Sequence, residues 1–471
     1  MAHDPKKLAS EAAALKAAGK LDEAIAVHRR IVAAAPGSAV AEHNLAGALG
    51  SAGRWREAET HIRRAFAKGI DAPESWLVLA RCGQSLGRFD EAERNFLEAI
   101  RRRPTLLDAQ QELAQLRWMR TADRDAALAE LDKALAAAPN DPGLIVTRAR
   151  VLQHAGDVEG AYALLTATAA QQPRDVAIVA TAAQMASELG DATAAASLAQ
   201  RAFELAPHEP VVNVTLISAL LLAGDAARAA TLCEGLRRRS PNDQHAIALQ
   251  ATAWRMLGDP RYRLLYDYGA FVSEHLIDAP QGWADRDAYL ADLAPALKAV
   301  HAFTTHPFHQ SVRHGSQASD ILHVDNPAIK ALPQALDASI QSHIAKLGRG
   351  PDPVRARNVG GYSYQGMWSI RLTAGGFHID HVHPQGWLSS ACYIEVPGAL
   401  TDKQGWLKFG EPGVRTTPAL APEHYVEPAP GKLVLFPSYM WHGTVPFTDA
   451  ATRLTIAFDL APAPAQSGAS G

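Results

Sequence analysis

A 34-residue rhythm governs the first half of this 471-residue chain. Gly19, Gly53 and Gly87 fall 34 apart, and so do Gly156, Gly190, Gly224 and Gly258. The 69 residues from Gly87 to Gly156 are two periods plus one insertion, with Ala122 standing where the missing glycine belongs. Ala24, Ala58, Ala92, Ala127, Ala161, Ala195 and Ala229 keep the same beat, as do Pro36, Pro104, Pro139, Pro173, Pro207 and Pro241. A fixed period of this length predicts stacked two-helix units, since no single unit can bury its apolar face alone. The glycine permits a tight corner, the small alanine lets two helices approach, and the proline ends one unit or opens the next.

Segments such as AGRWREAETHIRRAF and LGRFDEAERNFLEAI carry these marks. In period, glycine, alanine and proline, residues 8–275 resemble about eight tetratricopeptide repeats. The resemblance implies an α-solenoid whose concave face takes a protein or peptide. The competing expectation is that the array only stiffens or assembles the protein. After Gly258 the stretch DPRYRLLYDYGAFVSEHLIDAPQGW is more aromatic than a repeat and reads as a cap or junction.

Composition narrows the setting. Apolar residues at 48% and charged residues at 20% describe a globular protein. The net charge of -3, without a long basic run, argues against nucleic acid as the main partner. Cys82, Cys233 and Cys392 are far apart and form no CxxC pair, which favours a reducing compartment. The opening MAHDPKKLASEAAALKAAGK lacks the apolar run of a signal peptide or membrane span. A cytoplasmic protein with no membrane contact is expected. The end, APAPAQSGASG, reads as a disordered tail over residues 462–471.

Between the repeats and the tail the pattern changes twice. RDAYLADLAPALKAVHAF and NPAIKALPQALDASIQSHIAKLG space apolar residues as helices do. Between them, THPFHQSVRHGSQASDILHV reads as a polar loop suited to line a substrate channel, with Gln317 as a candidate contact. From about residue 354, SIRLTAG, WLSSACYIEVP, WLKFGEP, KLVLFPS and RLTIAFDL are short runs bounded by Gly and Pro, and they predict an all-β unit.

That unit holds the chemistry. His378, Asp380, His381 and His383 lie within six residues, and His442 follows in GKLVLFPSYMWHG. Strand alternation would put His381 and His383 on one face with Phe377 and Ile379, and His378 and Asp380 on the other. The first face is apolar apart from its histidines and is the better candidate for the interior. HxD is nevertheless half of a 2-His-1-carboxylate iron triad, and a bulge or an early strand end would exchange the faces. Two ligand sets therefore stay open: His381, His383 and His442, or a set that uses Asp380 with His378 or His381.

The region 285–460 resembles the 2-oxoglutarate/Fe(II) oxygenase superfamily, in a bacterial and phage branch with an HxHP pattern. The matching pieces are His381-Val382-His383-Pro384, Ser389 to Tyr393, Phe436-Pro437-Ser438 before His442, and Arg453 with Thr455. Gly375 precedes His381 by six, and His442 follows it by 61, as in relatives. The resemblance implies a double-stranded β-helix, Fe(II), 2-oxoglutarate as cosubstrate, and O2. It assigns Arg453, Thr455 and Tyr393 to the distal carboxylate of 2-oxoglutarate, which guanidinium grips bidentately. Trp387 and Trp441 are candidates for shaping a substrate pocket. Where relatives carry a carboxylate ligand this chain has His383, so three neutral imidazoles would leave the ferrous charge uncompensated until 2-oxoglutarate binds.

The expected architecture is multidomain α + β. An N-terminal α-solenoid of tetratricopeptide repeats with a cap spans residues 1–280, and a helical connecting region that packs on the barrel spans 281–350. A C-terminal double-stranded β-helix (jelly-roll) barrel spans 351–461, ahead of the tail. The expected function is a 2-oxoglutarate- and Fe(II)-dependent dioxygenase hydroxylating a protein or peptide presented by the repeats. Its rivals are a small-molecule or amino-acid hydroxylase that uses the repeats for assembly, and a non-catalytic adaptor with a metal-binding barrel. The oligomeric state is not legible in the sequence.

Overall fold

The computed structural model describes residues 5–398 and 401–464. Two compact units emerge. The first takes the chain through Val151 apart from Met119–Ala122, and the second takes Met119–Ala122 with everything from Leu152 onward.

Within the first unit, paired helices follow the sequence period: Pro5–Ala17 with Leu21–Ala34, Ala39–Ser51 with Trp55–Ala67, and Pro73–Ser85 with Phe89–Arg102. The corner glycines all have positive φ, from 67° at Gly258 to 89° at Gly156, and Ala122 shares that left-handed conformation at 55°. That shared geometry is why glycine recurs there. In the second unit an aspartate follows the corner glycine and caps the next helix. Asp157, Asp191 and Asp225 accept from the amides of Gly160, Ala194 and Arg228.

The second unit also holds helices Val176–Leu189, Pro210–Leu222 and Gln244–Leu257, followed by the β-sheets. The helix PVVNVTLISALLL is apolar on every face, and Val212, Leu216, Ile217, Ala219, Leu220, Leu221 and Leu222 are all buried. A helix apolar all round needs covering on every side. One continuous apolar core accordingly runs from Ala183 and Leu216 through Trp254 and Tyr266 to Leu433, Ile456 and Leu460 of the sheet.

Among the described residues nine strands follow one another: β1 Ser273–Leu276, β2 Val312–Ala318, β3 Gly360–His378, β4 Leu388–Glu395, β5 Leu407–Phe409, β6 His424–Val426, β7 Lys432–Pro437, β8 His442–Thr444 and β9 Arg453–Pro464. They form a six-stranded sheet, β1-β7-β4-β9-β3-β2, and a three-stranded sheet, β6-β5-β8. All recorded pairings are antiparallel. The multidomain arrangement of a repeat solenoid and a double-stranded β-helix is the one expected.

Three details differ from the expected segmentation. The stretch expected to cap the solenoid supplies edge strand β1, which pairs with β7. The polar loop supplies the other edge strand, β2, which pairs with β3. Edge strands gain only one neighbour's hydrogen bonds, so their sequences (SEHL, VRHGSQA) need not look like core strands. The last strand runs to Pro464, into the expected tail, with Gly360 opposite Pro464. The remainder of that tail, residues 465–471, lies outside the described residues.

Candidate metal centre

Strand β3 is long, and a glycine pair near its end bends it. Gly375 has φ 77°, and a Cβ on Gly376 would meet the Thr373 carbonyl at 2.6 Å. The strand stops at His378, so residues 379–383 are not a continuing strand and simple alternation does not apply to them. Instead, His381 makes an isolated antiparallel bridge to His442 at the start of β8. Each donates its amide to the other's carbonyl, at 2.9 and 3.1 Å. Two residues on, the amide of His383 donates to the Ser438 carbonyl at 3.0 Å. The HxH segment is thereby stitched to the loop that carries the third histidine.

The outcome is a cluster of His381, His383 and His442, whose ligand atoms all lie within 4.8 Å of one another. Each ring is pinned through Nδ1: His381 to the Ile379 carbonyl at 2.8 Å, His442 to the Met440 carbonyl at 2.9 Å, and His383 to the Asp459 carboxylate at 2.7 Å. Carbonyl and carboxylate oxygens only accept, so Nδ1 carries the proton in all three rings. In a neutral ring so held, Nε2 is left with the lone pair. Burial, with like-charge repulsion from His383, pushes His381 down to about 3, and burial holds His442 well below the ordinary histidine value. Those two rings are neutral, and the Nε2 atoms of His381 and His383 face each other at 3.2 Å. That spacing holds either one shared proton or a cation, since two bare lone pairs cannot bond to each other. A cation between them satisfies both, so the donor set fits a divalent metal that takes imidazole.

Asp380 and His378 lie outside that 4.8 Å group. Asp380 is salt-bridged to Lys408 at 2.8 Å, and Lys408 also pairs with Glu411. Burial raises its carboxyl to about 6 against the pull of Lys408. His378 meets Ser311 Oγ at 2.9 Å through Nδ1 and stacks 6.0 Å from His381.

A second group sits on the face of β9 that carries Arg453, Thr455, Ala457 and Asp459. The register aligns Tyr393, Thr455, Ile370 and Gln317 across β4, β9, β3 and β2. Arg453 is buried at 1% exposure and has no carboxylate partner among the described residues. Its Nη1 donates to the Gly405 carbonyl at 2.8 Å, its Nε to Thr455 Oγ1 at 3.2 Å, and its guanidinium lies 5.0 Å over the Tyr393 ring. The Tyr393 hydroxyl is buried without a hydrogen-bond partner. An unpaired buried cation beside an unsatisfied hydroxyl costs stability unless an anion joins them. The pair fits a carboxylate ligand.

Gln317 stands at the end of that row, half-buried, with its amide 3.4 Å from Gln310 Oε1. The two tryptophans expected near the mouth are core residues instead. Trp387, 1% exposed, donates its indole N–H to the Val354 carbonyl, and Trp441, 4% exposed, donates to Thr252 Oγ1. Large flat side chains with a satisfied N–H serve as packing plugs here.

Two supports were missed in the sequence. Asp459 is the next inward residue after Ala457, so carrying the β9 alternation one step further would have found it. Tyr266, from the stretch read as a cap, accepts from the Trp441 amide at 3.0 Å and donates to the Tyr439 carbonyl at 3.2 Å. That holds the loop before His442. No sequence signal marks a contact across 175 residues.

Comparison with known proteins agrees with this geometry. Residues 366–459 match the family described as "Putative 2OG-Fe(II) oxygenase". Residues 15–82, 73–106, 119–185 and 186–253 match tetratricopeptide-repeat families. The chain thus joins tetratricopeptide repeats to a domain of the 2OG-Fe(II) oxygenase family. Curated proteins offer no match to this chain. Similar solved structures include a tetratricopeptide repeat protein of Parabacteroides merdae, at 15% identity and TM-score 0.38, covering 53% of this chain and 98% of that one. The C-terminal part of a TPR repeat-containing protein of Cytophaga hutchinsonii shows 16% identity and TM-score 0.35, covering 51% and 98%. A thermophilic TPR protein of Thermus thermophilus shows 25% identity and TM-score 0.31, covering 39% and 100%.

Proposed function

We propose that this protein is a 2-oxoglutarate- and Fe(II)-dependent dioxygenase that hydroxylates a protein or peptide held by its repeats. The observation that carries the reading is the convergence of the ligand atoms of His381, His383 and His442, each ring held through Nδ1. Those residues would hold Fe(II). Arg453, Thr455 and Tyr393 would hold the distal carboxylate of 2-oxoglutarate. Iron, 2-oxoglutarate and O2 together supply oxidative decarboxylation to succinate and CO2, coupled to hydroxylation of a C–H bond.

The chain's own part is positioning. The Nδ1 contacts fix all three imidazoles in the metal-binding tautomer before any ion arrives. Arg453 neutralises a buried carboxylate, and the Tyr393 hydroxyl can donate to it. Asp380, tied to Lys408, is left as a support of the segment rather than a ligand. Gln317 is the candidate for substrate contact at the open end of the row. Three free, buried cysteines suit a reducing cytoplasm, and no described helix is long and apolar enough to cross a membrane.

One observation favours a structural use for part of the solenoid. Helices from Val176–Leu189 onward share a core with the sheets, so those repeats serve the barrel. Partner binding then falls to repeat surface the barrel leaves open.

The test is anaerobic titration with Fe(II) and 2-oxoglutarate, read by the visible metal-to-ligand charge-transfer band. We expect a band in the native protein, its loss in His383→Ala, its survival in Asp380→Ala, and weaker 2-oxoglutarate binding in Arg453→Ala. Loss with Asp380→Ala and survival with His383→Ala would replace the three-histidine set by one containing Asp380. Bound iron without a band would remove 2-oxoglutarate from the function.

A further inference from the structure

Three imidazole ligands bring no negative charge to a divalent ion, and among the described residues one carboxylate hydrogen-bonds to a ring of the triad. Asp459 receives the Nδ1–H of His383 at 2.7 Å. His381 and His442 give their Nδ1 protons to neutral carbonyls, so the three rings are not equivalent. Among the described residues Asp459 forms no salt bridge to Lys or Arg, and its basic neighbour is His383. Its Oδ1 is held by the Ser389 hydroxyl at 2.7 Å, and Ser438 lies 2.9 Å behind Ser389. Gly386 makes room for this chain, since a Cβ there would come within 2.3 Å of Ser438 Oγ. On the opposite flank Trp368 stacks against His383 at 5.8 Å.

We infer that Asp459 is the positioning residue of the metal centre and lends it the negative charge that the ligand set lacks. A carboxylate accepting Nδ1–H raises the electron density at Nε2, so His383 acts as the most strongly donating of the three ligands. The carboxylate that relatives place on the metal stands one imidazole away. Ser389 tempers the effect by donating to the same carboxylate. This inference rests on the reading of the three histidines as a metal site.

The test measures anaerobic Fe(II) and Co(II) affinity, and the midpoint potential of the bound iron by mediated titration. Asp459→Asn keeps the shape and an acceptor oxygen but removes the charge. It should weaken metal binding about 10- to 100-fold. A ferric ion should lose about tenfold more than a ferrous one, a rise of about 59 mV. Ser389→Ala should move the potential the opposite way, because Asp459 loses a donor and pulls harder on His383. A merely structural role would not give opposite signs. If native protein binds neither ion, the metal reading fails. If it binds, and folded Asp459→Asn matches it in affinity and potential, only the role of Asp459 fails. Should Asp459→Asn lose its melting transition, Ser389→Ala decides, and an unchanged or raised potential overturns the inference.

Discussion

A single hydroxyl shows how the proposed function is written into individual residues. Tyr393 is fully buried, and its hydroxyl has no partner. A buried unsatisfied hydroxyl costs about 1–3 kcal/mol. Tyr393→Phe should therefore raise the stability of the ligand-free protein by roughly 1 kcal/mol and weaken 2-oxoglutarate binding about tenfold, if the hydroxyl meets the carboxylate. Thermal melts with and without 2-oxoglutarate read both signs at once. His343 gives a pH counterpart. It is fully buried, hydrogen-bonded to Ser273 Oγ through Nδ1, and burial pushes it down to about 3. The unfolded chain takes up this proton near the ordinary value of about 6.5, and the folded one does not until about 3. The contribution is whole above about 6.5 and is lost as pH falls towards 3, at up to about 1.4 kcal/mol per pH unit. Urea midpoints should fall across that window, and His343→Leu should flatten the slope. The clustered histidines and Arg453 stood out in the sequence because their spacing is tied to a known chemistry. His343 did not, because it sits on the buried stripe with Leu336, Ile340 and Leu347, and that spacing marks a helix face, not a titrating group.

At the level of elements, the repeat was the clearest part of the sequence, since its corner needs one backbone conformation in every unit. Ala122 in the glycine position adopts the same left-handed φ, so the periodicity survived the substitution. The HxH segment was harder. Its strand alternation paired His381 with His383, which the structure also brings together, but the strand ends at His378, and the grouping comes from the bridge to His442. Long-range pairing of that kind leaves no local signature. The corner glycines also report docking. Gly156 has open space around its Cβ position, whereas a Cβ on Gly224 would sit 3.1 Å from the Thr417 carbonyl. Thr417 is itself seated on that corner, its amide donating to the Leu221 carbonyl at 3.1 Å and its hydroxyl to that of Leu222 at 2.6 Å. Both Gly→Ala changes pay the left-handed penalty of about 1–2 kcal/mol. Gly224→Ala should cost roughly 1 kcal/mol more, because it also presses on the barrel segment. Denaturant unfolding of the two variants compares them directly, and equal losses would mean that the Thr417 contact is soft.

For the whole molecule, composition and motif separated repeats from barrel cleanly, whereas packing does not. Strand β1, Tyr266 and the helix Gln244–Leu257 all lie before residue 281; β1 pairs with β7, and the other two contribute to the core shared with the sheets. Tyr266 holds the Trp441 amide, and Arg255 donates to the carbonyls of Gly410 and Ala421 at 2.8 Å each. A boundary drawn where the repeat motif fades would therefore cut through a continuous apolar core. A chain starting at residue 281 loses the neighbour of β7, leaves the Trp441 amide without its acceptor, and uncovers Met440 and Trp441. Each unsatisfied buried group costs about 1–3 kcal/mol and each uncovered large side chain about as much, which together rival the ~5–15 kcal/mol of a typical fold. That chain should show no cooperative melting and no Co(II) affinity. A chain starting at Pro139 keeps the second unit apart from Met119–Ala122, and should melt cooperatively with metal affinity within a few-fold of the full protein. Calorimetry and Co(II) titration on both decide the matter. Cooperative folding with full affinity in the shorter chain would show that the barrel stands alone and that its repeats are free for partners.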